Sequence, residues 1–188
     1  GNPSILAHCM RCRKEWERAF KGDVFFFDYH MYSIHFNDMG HQLITSRITR
    51  DVKLLESHKA QGLMNCATSR LYLPTALPAY LCGRTMFDTN LDIEKERDDY
   101  FIKSFGEDGI KAKEYLESLS EYLIPDLLAD VGVSAAAEEY TEILNSNLRW
   151  MGNKEASKSF AKAYNAVKEF LPVIEKNLNS ENPCHKKS

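Results

Sequence analysis

The sequence lacks the features that mark membrane-spanning, nucleic-acid-binding and disulfide-rich proteins. No apolar run approaches the roughly 20 residues that cross a bilayer, so no membrane partner is expected. Twenty-four Lys and Arg against 27 Asp and Glu give a net charge of −3, without the concentrated positive field that nucleic acid requires. Five cysteines are an odd number at scattered positions, so we expect free thiols rather than a disulfide scaffold.

Several catalytic signatures are also missing. There is no Gly-rich phosphate loop and no Gly-x-Ser-x-Gly elbow, so nucleotide and serine-hydrolase chemistry are disfavoured and no cofactor is expected. Cys9 and Cys12 have zinc-knuckle spacing, but no second pair follows and both lie within a helical period. The chain begins with Gly rather than Met, which is typical of a segment with a residual tag residue. The compartment therefore stays open, and export through a removed signal peptide is compatible with the sequence.

What is present is 44% hydrophobic and 11% aromatic content, enough to bury a sizeable core. The continuous apolar run Val24 to Phe27 predicts a strand buried on both faces, and Gly62 to Ala67 predicts a second buried strand. Between them, Ile44, Ile48 and Val52 repeat at helical spacing. A strand, a helix of about four turns and a strand form a βαβ unit, so the two strands should be parallel.

The rest of the chain reads as helices joined by turns. We expect Pro78 to distort one of these helices, Asp88 to Asn90 to cap the next, Gly106 to end it, and Pro172 to bend or break the last. Short links favour an antiparallel arrangement of the last three. The predicted helices are Ile5 to Phe20, Pro74 to Phe87, the segment that ends at Gly106, Ile110 to Ile124, Ser134 to Met151 and Asn153 to Leu178.

The predicted fold class is therefore α/β and helix-rich. Residues 1–106 are predicted to form a partial α/β segment of βαβα order with two short parallel strands, which the resemblance described below places in a (β/α)8-barrel-like fold. Residues 107–180 are predicted to form a helical bundle, and residues 181–188 a disordered tail. An isolated parallel pair leaves unpaired strand edges and uncovered apolar faces. We therefore expect further strands from a segment outside this sequence, or a homodimer formed through the exposed strand edges.

The stretch from Trp16 through Tyr122 resembles the C-terminal part of a bacterial family of unknown function, whose longer members resemble glycoside hydrolases of the α-glucuronidase kind. The resemblance implies the last two strand-helix units of a (β/α)8 barrel, with helices packed outside or beside it. It covers a little over half of the chain and includes no catalytic signature. The matching segments are Val24 to Tyr29, Gly62 to Met64, Leu73-Pro74, Leu77 to Leu81, Met86 to Asp88, Asp92, and Tyr100 to Gly106.

Candidate binding residues follow from the barrel interpretation, because residues just after the C-terminal ends of barrel strands face the substrate. Aromatic rings stack on pyranoses, and Asp, Asn and Arg hydrogen-bond to hydroxyls or to a uronate carboxylate, so we expect a carbohydrate ligand. The alternative is that Asp28 and Tyr29 only cap and pack the strand end. The candidates are Asp28, Tyr29, His30 and Tyr32 after the first strand, and Asn65, Thr68, Ser69 and Arg70 after the second.

Catalysis by this chain alone is not expected. Glycoside hydrolysis uses two carboxylates roughly 5 to 10 Å apart, and only Asp28 and Asp38 lie in the right region. The acidic stripe from Glu94 to Asp99 is interpreted as a solvated helix face. The catalytic pair would thus lie largely upstream.

Two alternatives of other classes stay open. A zinc or iron site could use loop residues of a ligand type, although their spacing matches no familiar motif and no metal is predicted. The second alternative is a non-catalytic helical module that binds a protein partner through an exposed apolar patch. The loop residues in question are His30, His35, His41, Asp28 and Asp38.

Overall fold

The structure is a computed structural model that describes residues 3–31, 38–58, 60–67, 72–123 and 154–181. It is helix-rich, with two strands in one sheet. No described helix is long and apolar enough to span a membrane. The elements are α1 (Pro3–Ala19), β1 (Phe25–Met31), α2 (Gln42–Ser57), β2 (Gly62–Ala67), α3 (Leu77–Phe87), α4 (Ile93–Phe105), a short 3-10 helix (Gly106–Asp108), α5 (Gly109–Tyr122) and α6 (Lys154–Leu178).

The two strands are parallel, which confirms the predicted α/β class and the βαβ order. Phe26 pairs with Leu63 and Asp28 with Asn65, and the register shifts between Asp28 and Met31. The bounds of β2 agree with the prediction. The connection between the strands is α2, whose apolar stripe covers one face of the sheet.

The strand β1 differs from the prediction in length and in burial. It continues through Asp28, Tyr29 and His30 to Met31, so these residues lie within the strand and not after it, and Asn65 likewise lies within β2. The predicted burial on both faces is wrong for the described residues, since nothing among them covers the second face. That open face consists of Phe25 (67% exposed), Phe27 (55%), Tyr29 (55%) and Met64 (63%).

Two apolar clusters form the core. One joins the sheet to α2 and α3, and the other joins α3, α4, α5 and α6. The buried residues of the first are Met31, Ile44, Ile48, Val52 and Cys82, and those of the second are Leu77, Leu81, Phe101, Ala112, Leu116, Leu119 and Ala163.

The helices α5 and α6 confirm two members of the predicted bundle and run antiparallel. Asp108, just before α5, contacts Lys176 near the end of α6. Lys162, early in α6, lies over the ring of Tyr122 at the end of α5. The predicted helix from Ser134 to Met151 and the tail beyond residue 181 lie outside the described residues.

The predicted helix signals agree with the structure in part. The helix α3 begins at Leu77, so Pro78 lies in its first turn, where its missing N–H leaves no helical hydrogen bond unmade. Asp92 caps α4 by accepting from the Lys95 amide, in place of the predicted cap at 88–90. Gly106 ends α4 as predicted, with φ of 64°. The helix α6 continues past Pro172 to Leu178.

Candidate functional site

A polar cluster centred on His30 lies between the sheet and α2. The His30 Nε2 atom is 3.1 Å from Asp51 Oδ2, and its Nδ1 atom is 3.6 Å from Asp28 Oδ2 and 3.4 Å from Asn65 Nδ2. The His30 side chain is only 9% exposed, whereas the side chains of Asp28 and Asp51 are 50% and 34% exposed. The imidazole is therefore held between two carboxylates that solvent reaches.

The βαβ connection explains how these residues meet. Asp28 and His30 are two positions apart on β1, so their side chains share one face of the strand. The parallel register sets Asn65 of β2 beside Asp28. The helix α2 returns over the same face and brings Asp51 to His30. Three elements thus contribute to a cluster that no single one could form.

Both ring nitrogens of His30 have hydrogen-bond partners. A neutral imidazole can donate from Nε2 to Asp51 and accept at Nδ1 from the Asn65 amide. The Asn65 Oδ1 atom is buried and has no hydrogen-bond partner in the described part of the chain. The His30 ring is thus held at both nitrogens by side chains from two other elements.

Cys82 of α3 lies at the buried side of this cluster. Its pKa is raised by burial and lowered by a hydrogen bond from Asn65, with burial the larger effect. Since the thiolate is the reactive form of cysteine, a buried thiol with a raised pKa is a poor nucleophile. Cys82 serves packing in the first core cluster.

The structure brings together three of the predicted binding residues and separates a fourth. Asp28, His30 and Asn65 share the face of the sheet that the helices cover, while Tyr29 lies on the open face beside Phe27, with their ring centroids 5.0 Å apart. The other predicted residues, Tyr32, Thr68, Ser69 and Arg70, lie outside the described residues.

Sequence reasoning did not identify Asp51 as a member of this cluster. Its position in the sequence could have indicated this role. Asp51 directly precedes the buried Val52 and follows Ile48 by three residues, so it lies at the border of the apolar stripe of α2. A charged residue at such a border can turn toward a strand that ends in polar residues.

Among the residues considered for a metal site, Asp28 and His30 lie together, whereas Asp38 and His41 have other partners. Asp38 is buried, where its carboxylate accepts from the Ser120 hydroxyl (2.5 Å) and from the Ile44 amide (2.8 Å). The His41 ring is buried near the Thr75 carbonyl oxygen, 3.2 Å from it. His35 lies outside the described residues. Within the ranges that the structure describes, no group of three or more His, Cys, Asp or Glu side chains is arranged to hold a metal ion.

The acidic stripe of α4 is more than a solvated face. Glu96 accepts from the Arg84 guanidinium (2.8 Å) and from the Tyr80 hydroxyl (2.5 Å), both on α3. Arg84 and Tyr80 lower the pKa of Glu96. Asp98 accepts from Lys113 of α5 at 2.6 Å. These carboxylates join helices, which makes them structural.

No protein-family model, no curated protein and no solved structure matches this chain.

Proposed function

We propose that this chain is the C-terminal part of a larger carbohydrate-processing protein of the glycoside hydrolase type and is not catalytic by itself. In this proposal, β1 and β2 are two strands of a sheet that the rest of the protein completes. The helices α2 to α6 support that sheet from one side.

The observation that carries the proposal is the half-covered sheet. In the described residues, β1 and β2 pair only with each other, and one face exposes an aromatic surface. Parallel sheets are normally covered on both faces, and two strands alone are not independently stable in water. Additional strands would pair with β1 and β2, and the completed sheet would cover Phe25, Phe27 and Met64.

The chemistry of the open face supports sugar binding and argues against catalysis. Tyr29 is the open-face residue nearest the C-terminal end of β1, and its exposed ring is of the kind that stacks on the apolar face of a pyranose. Its hydroxyl adds a hydrogen-bonding group. No strand residue on this face is a carboxylate, because Asp28 lies on the opposite face. The acid and base of a glycoside hydrolase would therefore come from other strands.

The first experiment determines the mass of the polypeptide in its natural source. A product much larger than 21.6 kDa is expected, with this sequence at its C-terminal end. Mass spectrometry of the protein captured with an antibody to residues of α6 gives the answer. A natural product near 21.6 kDa would contradict the proposal.

The second experiment tests sugar binding by saturation-transfer NMR with neutral and uronate oligosaccharides. Tyr29→Ala should weaken binding roughly tenfold because it removes a stacking ring. Tyr164→Ala is the matched control, since Tyr164 on α6 is also more than half exposed. Absence of transfer to any sugar, or equal loss in both variants, would count against a carbohydrate ligand.

A second candidate function, a non-catalytic helical interaction module, is favoured by an exposed apolar stripe on α6. Its residues repeat at three- and four-residue intervals, the spacing by which one helix packs against another. In this alternative the partner is a second copy of the chain. The stripe residues are Tyr164, Val167, Leu171, Ile174 and Leu178.

Light scattering with two surface variants separates the two dimer surfaces. A homodimer formed through the strands should dissociate with Met64→Glu, whereas a dimer formed through α6 should dissociate with Leu171→Glu. Both side chains are exposed, so neither substitution removes core packing. A dimer sensitive only to Leu171→Glu would favour the interaction module over the carbohydrate proposal.

A further inference from the structure

An open groove of about 400 Å³ lies between α2 and the first turns of α4. A ligand bound there would be a function additional to the one proposed above. The residues Ser46, Arg50 and Lys53 that line it lie four and three residues apart, so they share one stripe of α2. That stripe is distinct from the one that packs on the sheet. The α4 side is formed by Ile93, Glu94 and Arg97.

The groove concentrates positive charge in a protein whose net charge is −3. Arg50, Lys53 and Arg97 line it with Glu94 as the single carboxylate among the lining residues. An anion that enters the groove therefore meets more positive than negative charge.

Arg97 forms the buried part of this surface and is incompletely compensated. Its side chain is 8% exposed, whereas its carboxylate partner Glu94 is 67% exposed and 3.4 Å away. Its Nη2 atom donates to the Ser46 hydroxyl at 3.1 Å, and its Nε atom is buried without a partner among the described residues. A buried charge with so weak a partner is costly, and a second anion nearby would lower that cost.

The two outer cations have partners that leave donors available. The Lys53 ammonium donates to the Leu91 carbonyl at 2.9 Å, which uses one of its three N–H groups. The Arg50 guanidinium is 3.3 Å from Asp51 through two of its nitrogens, and its side chain is mostly exposed. Both side chains can therefore also hydrogen-bond to an oxyanion.

The groove also has apolar lining residues, so its ligand should carry an apolar group as well as a negative charge. Leu54 and Ile93 lie in the same groove as the cations, and Leu54 is exposed. We propose that this groove binds a small organic oxyanion, with its carboxylate or phosphate group among Arg50, Lys53 and Arg97 and its apolar body against Leu54 and Ile93.

The test is a titration of the 15N-labelled protein with benzoate, with its neutral analogue benzamide and with inorganic phosphate. Benzoate should shift amide signals of α2 and α4 saturably, with a dissociation constant on the order of 1 mM, and benzamide should bind at least fivefold more weakly. Inorganic phosphate should also bind if the cationic side chains supply most of the binding free energy. If benzoate saturates the groove and phosphate does not, the ligand is a carboxylate. If phosphate saturates it and benzoate does not, the ligand is a phosphate ester.

Three variants sharpen the test. The double variant Arg50→Gln/Lys53→Gln should weaken benzoate binding at least tenfold, since it removes two surface cations and leaves buried Arg97 in place. Glu94→Gln should strengthen binding about threefold because it removes the repelling carboxylate. Lys103→Gln, which changes an exposed lysine near the other end of α4, should leave binding unchanged.

The proposal is overturned if neither anion gives a saturable shift in the folded protein. It is also overturned if benzamide binds as well as benzoate, since the groove would then be only an apolar surface. A Glu94→Gln variant that melts earlier and binds benzoate no better would show that the Arg97 ion pair has a structural role alone.

Discussion

The helices α3 to α5 and the two-stranded sheet lie side by side in one chain but bury their apolar groups to different extents. In the helical core, Leu77, Leu81 and Phe101 are completely buried. In the sheet, Phe25 and Phe27 expose more than half of their surface. The helical core is thus complete within the described residues, while the sheet is covered on one side. The difference locates the surface where further chain, or a second molecule, would add most to stability.

The largest expected effect contrasts a core leucine with an open-face phenylalanine. Leu81→Ala should lower the free energy of unfolding by about 3 kcal/mol, because it leaves a cavity in a fully buried cluster. Phe27→Ala should lower it by less than about 1 kcal/mol, because the ring is already exposed to water. Urea unfolding followed by circular dichroism measures both.

A Phe27→Ala cost as large as that of Leu81→Ala would break the comparison. It would mean that the open face is covered in solution, and light scattering at the same protein concentration would then be expected to show an oligomer.

The next effect concerns the close contact between the start of α2 and α5. A Cβ atom at Gly40 would lie 1.8 Å from the Leu116 carbonyl oxygen and 2.5 Å from the Ser120 hydroxyl. Gly40→Ala should therefore cost roughly 2 kcal/mol, since backbone must move. At Gly83, within α3, a Cβ atom meets nothing within 4 Å, so Gly83→Ala should stabilise the protein by up to about 1 kcal/mol. If the junction is this tight, thermal unfolding should show a lower melting temperature for Gly40→Ala and a higher one for Gly83→Ala.

The smallest effect tests the electrostatic link between α5 and α6. The buried Asp108 carboxylate accepts from Lys176 (2.8 Å), Lys111 (2.9 Å) and Asn177 (3.2 Å), and these contacts, Lys176 first, hold its pKa well below the usual range. Asp108→Asn should lower the free energy of unfolding by roughly 1–2 kcal/mol at pH 7. Glu107→Gln is the exposed neighbour control and should change it by less than about 0.5 kcal/mol.

The pH dependence of this link has a definite sign. A carboxyl group whose folded pKa is depressed stabilises the protein above its unfolded pKa, near 3.9, and this contribution is lost as the pH falls further. The stability difference between the natural protein and Asp108→Asn should therefore narrow below about pH 4. A difference that stays constant down to pH 2 would show that Asp108 acts by packing and not by charge.

Local sequence patterns predicted most elements of the fold. The helical spacing of Ile44, Ile48 and Val52 identified the buried stripe of α2, and all three are buried. The parallel βαβ order followed from two apolar runs separated by that helix. Gly106 was recognised as a helix end because a residue with positive φ is needed there. These features depend on neighbours within a few residues.

The candidate site was predicted less completely, for a physical reason. Asp28, Tyr29 and His30 were treated as one loop group, but alternation along β1 sends Tyr29 to one face and its two neighbours to the other. The polar residues could extend the strand only because Asp51 and Asn65, more than 20 residues away, satisfy His30. Sequence periodicity carries no record of such partners.

The sequence by itself determined which segments become helices and strands, because apolar spacing, caps and helix-ending glycines act over a single turn or a few residues. Only the tertiary structure decided which polar groups are buried. Asp38 is the clearest case, since it was read as a loop residue but bonds to Ser120, 82 positions later. Burying a carboxylate is favourable only when distant groups complete its hydrogen bonds, and those partners exist only once the chain has folded.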